Sequence, residues 1–249
     1  MQILWQYLPL GVIAGSALLL FIFSFAKRKA PLHVREIPAL KRLSDAIGLS
    51  IEEGSRLHIS LGRGSLLSAR GGSALAGLAF LRHVVEKTSV SDKPSVASAG
   101  EPAIGLLTQD TIQAGYHAAG ADELYVPTTG RVTGLSPFSY AAGAMHITSN
   151  ENVSANILIG RFGAEAALLA ESSDRANVLL VGASDDLTGQ AALFASSQDA
   201  LIGEELFAAG AYLGAGAAHH ASLALQDLLR WLLIVALIAG AAAKILGGF

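Results

Sequence analysis

Two apolar stretches, Leu8 to Phe25 and Trp231 to Phe249, stand at the ends of this 249-residue chain. At about 1.5 Å per residue, each is long enough for a hydrocarbon core of roughly 30 Å. Between them lie 205 residues, the size of one ordinary domain. The expected organisation is an N-terminal transmembrane anchor with a basic flank over residues 1–29, an α/β domain over 30–216, and a C-terminal helix and anchor over 217–249. A hydrophobic content of 52% and a mean hydropathy of +0.48 reflect in part those two ends.

Charge order gives the expected orientation. Lys27, Arg28 and Lys29 follow the first stretch, and no Asp, Glu, Lys, Arg or His precedes it. A secretory signal has the reverse order. Short basic flanks stay in the cytoplasm, so both termini are expected outside the cell membrane and the domain inside. Arg230 and Trp231 mark the domain side of the second stretch, whereas Lys244 near its far end has to snorkel toward headgroups. Gly11 and Gly15 form a G-x-x-x-G, and Ala236 and Gly240 repeat that spacing, which lets membrane helices approach closely within or between protomers. Such spacing is also common by chance in Gly- and Ala-rich helices.

A net charge of −3 supplies no broad positive field for a polyanion, so no nucleic-acid partner is expected. The chain has no cysteine, hence no disulfide and no thiolate metal site. The histidines are either scattered or, at His219 and His220, adjacent without the i, i+4 spacing of a metal helix, and no metal site is expected.

In the domain, Pro38 and the apolar spacing Leu40, Leu43, Ile47, Ile51 predict a helix ending at Gly54. Short apolar runs then alternate with Ala-rich helical patterns, the mark of β-α units around a mostly parallel sheet of about six strands. Strands are expected at Leu57 to Leu61, Ser95 to Ala99, Glu123 to Val126, Ala155 to Gly160, Asn177 to Gly182 and Ala192 to Ser197. Helices are expected at Ser73 to Glu86, Ala103 to Ala119, Phe138 to Ala144, Ala164 to Ser173 and Gly203 to Leu213. Val178 to Val181, apolar throughout, reads as a central strand covered on both faces. Gly214 and Gly216 mark a break before the second anchor.

Four segments carry a resemblance: Arg35 to Leu40 (R-E-I-P-A-L), the turn Gly62-Arg63-Gly64, Phe138 to Gly143 (F-S-Y-A-A-G) and Leu201 to Ala209 (L-I-G-E-E-L-F-A-A). Over residues 31 to 215 the chain resembles a prokaryotic family of membrane-anchored proteins known only as a domain of unknown function. The resemblance implies an α/β domain next to membrane helices and carries no activity or cofactor.

A parallel α/β sheet binds ligands beyond the carboxyl ends of its strands. The residues expected on that rim are Gly62, Arg63, Gly64 and Ser65; Gly100 and Glu101; Thr128 and Thr129; Gly160, Arg161 and Glu165; Asp185, Asp186 and Thr188; and Asp199, Glu204 and Glu205. The candidate ligand-binding set is Gly62, Arg63, Gly64, Asp185, Asp186, Thr188, Asp199, Glu204 and Glu205. Its carboxylates suit a hard cation or a general base, and equally suit the N-termini of helices, where they act as caps. The Gly62 turn suits an anion cradled by backbone N–H groups, or simply a tight turn; it lacks the third glycine of a dinucleotide fingerprint and the Gly-Lys-Ser/Thr of a phosphate loop. Gly182 to Asp186 lacks the closing glycine of a nucleophile elbow.

Two functions follow. One is a homo-oligomeric scaffold at the cytoplasmic face of the lipid bilayer; the other is a module or enzyme that uses the acidic rim for a nucleotide or small ligand. Another membrane protein is a further possible partner.

Overall fold

The computed structural model describes residues 2–26, 37–68, 71–197, 199–212 and 217–245, divided between a unit of the two terminal segments and a unit from Arg35 to Gly214. Lys27 to Lys29, Gly214 and Gly216 lie outside the described residues. At the N-terminus, α1 (Gln2–Ala26) contains Pro9, and its apolar part runs only from Pro9 to Phe25. That is shorter than the roughly 20 apolar residues of a standard span.

The domain opens with α2 (Pro38–Glu53), where the fixed φ of Pro38 suits the first turn. Ala39, Leu40, Leu43 and Ile47 are buried, and Gly54 closes the helix at a φ of 61°. There follow β1 (Arg56–Gly62), α3 (Gly72–Thr88), β2 (Val96–Ala99), α4 (Pro102–Ala118), β3 (Gly130–Val132), α5 (Pro137–Asn150), β4 (Val153–Arg161), α6 (Glu165–Arg175), β5 (Leu179–Ser184), α7 (Leu187–Ser196), β6 (Ala200–Leu201) and α8 (Glu205–Tyr212). The six strands lie in the order β3-β2-β1-β4-β5-β6, and every pairing is parallel.

That order is the doubly wound one, with helices on both faces. Leu57, Ile59 and Leu61 of β1 and Ala155, Ile157 and Ile159 of β4 share one core with residues of α2, α3, α4 and α8. The opposite face packs Leu158 with Tyr140 and Ala144 of α5, Ala166 and Leu169 of α6 and Leu193 of α7. Because strand side chains alternate, the two faces of β1 and β4 can be assigned residue by residue.

Two of the expected strands are corrected. Glu123 to Val126 is not a strand: Asp122–Leu124 and Pro127–Thr129 are short 3-10 turns, and the third strand starts at Gly130. Ala192 to Ser197 falls within and just after α7, because the Asp186 carboxylate accepts the Thr188 N–H and starts a helix there. The last strand is the two-residue β6. A short apolar run cannot be assigned by periodicity alone, and a cap decided this one. Leu179 and Leu180 of β5 are only half-buried, since β6 pairs with Gly182 and Ala183 alone; β1 and β4 are the fully covered central strands.

At the C-terminus, α9 (Ala217–Ile245) packs against α1, and from His219 to Ile245 it is long and apolar enough to cross a membrane. It is the one such helix among the described residues.

Candidate functional site

From β1 the chain winds outward through β2 to β3, and from β4 through β5 to β6. The point where the winding reverses therefore lies between β1 and β4, and a crevice opens beyond their carboxyl ends. Two glycines permit the close approach there. A Cβ on Gly62 (φ 70°) would stand 2.3 Å from the Arg161 carbonyl oxygen, and one on Gly160 (φ 152°) would stand 2.2 Å from that of Leu61.

The turn's first amides are already committed. Gly62 N–H donates to the Tyr140 hydroxyl at 3.0 Å and Arg63 N–H to the Arg161 carbonyl at 2.9 Å. A cleft of about 270 Å³ is lined by Arg63, Pro137, Arg161, Gly163, Glu165 and Asp186. Arg63 leaves the end of β1, Arg161 ends β4, Glu165 opens α6 and Asp186 caps α7.

The charges balance, but the pairs are long. Arg63 Nη1 stands 3.9 Å from Glu165 Oε1, and Arg161 Nη2 stands 3.4 Å from Asp186 Oδ2. Charge-assisted bonds are ordinarily about 2.7–2.9 Å. Arg63 also donates to the Leu135 carbonyl at 3.3 Å, while its buried Nε has no acceptor. Glu165 is 4% exposed in the first turn of α6, where the N-terminal dipole favours its charge. Both guanidinium groups thus have donor capacity to spare for an incoming anion.

The other expected rim residues scatter. Gly64 is beside Arg161, Asp185 is half-buried with Oδ1 lacking a partner, and Thr188 is exposed. Asp199 precedes β6 and is bonded by the Arg42 guanidinium of α2, so it is held at the strand's amino end, away from the rim. Glu205 accepts the Ile202 N–H at 3.1 Å in its own turn, and Glu204 is exposed beside it. Ser184 is buried, donates to the Phe162 carbonyl and accepts the Phe162 and Asp186 amides, which makes it a brace between β4 and β5. Among the described residues no three His, Asp or Glu side chains gather as a metal site requires.

Sequence reasoning missed the polar layer beneath the cleft. The Tyr140 hydroxyl bonds Ser60 Oγ, Ser98 Oγ reaches Ser60 at 3.5 Å, and His58 Nε2 bonds Ser98 Oγ at 2.8 Å. Thr148 Oγ1 stands 3.4 Å from His58 Nδ1. Burial lowers the His58 pKa to about 4 despite the Asn156 side chain, which favours the charged form. Burial also pushes the Tyr140 hydroxyl up, so both stay neutral near pH 7. The signal was available in the alternation of His58 and Ser60 with Leu57, Ile59 and Leu61. Polar residues on one face of a covered strand need partners from the helix above, and Tyr140 and Thr148 supply them.

No curated protein and no solved structure matches the chain. A family model does, from residue 3 to residue 249, and the chain accordingly belongs to the family described as a domain of unknown function, DUF6754.

Proposed function

We propose that this protein is a membrane-tethered module that binds a small phosphorylated ligand in the cleft between β1 and β4. The supporting observation is the pair of under-satisfied guanidinium groups, Arg63 and Arg161, at the reversal point of a doubly wound sheet. Ligands of such sheets collect there, and arginine suits phosphate by its planar fork of donors. Glu165 faces Arg63 and Asp186 faces Arg161. In a thermal-shift series on the full chain in detergent, inorganic phosphate is expected to raise Tm in the parent. A ligand at about 100 times its Kd adds about 2.7 kcal/mol, several degrees for a domain of this size. Arg161→Gln is expected to lose the shift while folding normally; an equal shift in that variant refutes the reading.

The tether is read as two spans, α1 and α9, with both termini outside and the domain in the cytoplasm, following the Lys27 to Lys29 flank. Single cysteines introduced into this cysteine-free chain and labelled in sealed vesicles test that topology directly. A homo-oligomeric scaffold is the second reading. It is favoured by Gly11 and Gly240, both exposed, where an added Cβ would meet no atom within 4 Å although α1 packs against α9. Exposed small residues at these two positions suit close contact between protomers. Native mass spectrometry showing a strict monomer would remove it.

A further inference from the structure

We infer that the cleft takes a compact phosphomonoester and rejects a dinucleotide, and that Arg63 is the residue that sets this limit; the inference rests on the ligand-binding reading above. An extended dinucleotide on a sheet of this order straddles the reversal point, with its pyrophosphate on the amides of the first turn and a ribose bound by an acid at the end of β2. Here the protein itself takes up the first two amides of that turn and the acid after β2.

Arg63 blocks the β2 side. Its stem crosses Gly100 so closely that a Cβ there would stand 2.3 Å from Arg63 Cγ and 2.9 Å from the Tyr140 ring. Gly100 is required by this crossing, since any side chain would displace the arginine. The guanidinium then reaches the Leu135 carbonyl ahead of α5 and faces Glu165 across the crevice. The acid after β2 is Glu101, and its carboxylate is turned to its own helix, accepting the Ile104 N–H at 2.8 Å. The amides of Gly62 and Arg63 are held by Tyr140 and Arg161. What remains open is the cleft of about 270 Å³. Pockets for drug-sized ligands run from about 300 Å³ upward, so one phosphoryl group with a small body fits and two linked nucleotides do not.

Isothermal titration of the full chain in detergent with ribose 5-phosphate and with NAD tests this. The parent is expected to bind ribose 5-phosphate at least tenfold more tightly than NAD. Arg63→Ala is expected to lose tenfold or more for ribose 5-phosphate and less for NAD, so that the ratio shrinks. Equal or tighter NAD binding by the parent, or an unchanged ratio in Arg63→Ala, overturns the inference and leaves the cleft reading standing. Binding of neither probe, together with no response to inorganic phosphate, overturns the cleft reading itself.

Discussion

The Tyr140 hydroxyl, buried under the sheet, accepts the N–H of Gly62 at 3.0 Å, the last residue of β1. One side chain from the F-S-Y-A-A-G segment thereby fixes the turn that launches Arg63 into the cleft. Tyr140→Phe keeps the ring and removes the acceptor, leaving a buried amide and the Ser60 hydroxyl without that partner. The expected cost is about 1–3 kcal/mol, read as a lower denaturant midpoint at unchanged m.

His58 makes the domain acid-sensitive. Its folded pKa of about 4 lies below the ordinary 6.5, so the unfolded chain takes up a proton first as pH falls. The domain therefore loses stability between about pH 6.5 and pH 4, by up to about 3 kcal/mol, with no contribution above that window. His58→Asn is expected to flatten this limb in a series of Tm against pH. An unchanged slope would show that His58 does not carry it; the Glu151 contribution belongs to a more acid range, because the bond from Arg131 and the charges of Arg131 and Arg56 outweigh burial and bring its pKa net below the usual value.

Gly62→Ala and Gly203→Ala separate backbone conformation from crowding. Both glycines have positive φ, but only at Gly62 does a Cβ meet another backbone. Gly203→Ala is expected to cost about 1–2 kcal/mol from the left-handed conformation alone. Gly62→Ala adds a clash with the Arg161 carbonyl, for roughly 2–6 kcal/mol in total, measured by chemical denaturation.

Asp199→Ala removes the carboxylate that ties β6 to Arg42 of α2. With the Arg42 side chain 50% exposed, the expected loss is about 1 kcal/mol. Phosphate affinity of the folded protein should stay at the parent value, because Asp199 does not face the cleft; a tenfold weaker titration would place it there.

Glu165→Gln should have the opposite effect on binding. Neutralising the acid that faces Arg63 is expected to tighten phosphate roughly twofold to fivefold, the equivalent of about 0.5–1 kcal/mol for a partly exposed pair. Weaker binding instead would mean that the Glu165 carboxylate itself holds the ligand.

What the sequence alone determined is local. Alternating apolar runs and Ala-rich helical patterns established the α/β class, Pro38 and Gly54 bounded the first helix of the domain, and the C-terminal run marked the helix that is apolar and long enough to span a membrane. It placed Arg63, Arg161, Glu165 and Asp186 after strands, yet could not distinguish them from Glu204, because residues after a strand look alike until the strand order is known; Asp199 joined them only through the expected strand Ala192 to Ser197, most of which is helix α7. Tertiary structure decided that order. The crossovers that set β1 beside β4 bring Arg63 and Arg161 to one crevice and put Tyr140 under Gly62, and packing against α2 ties Asp199 to Arg42. Periodicity records which face of a segment is buried; which segments become neighbours depends on long-range packing that no local pattern encodes.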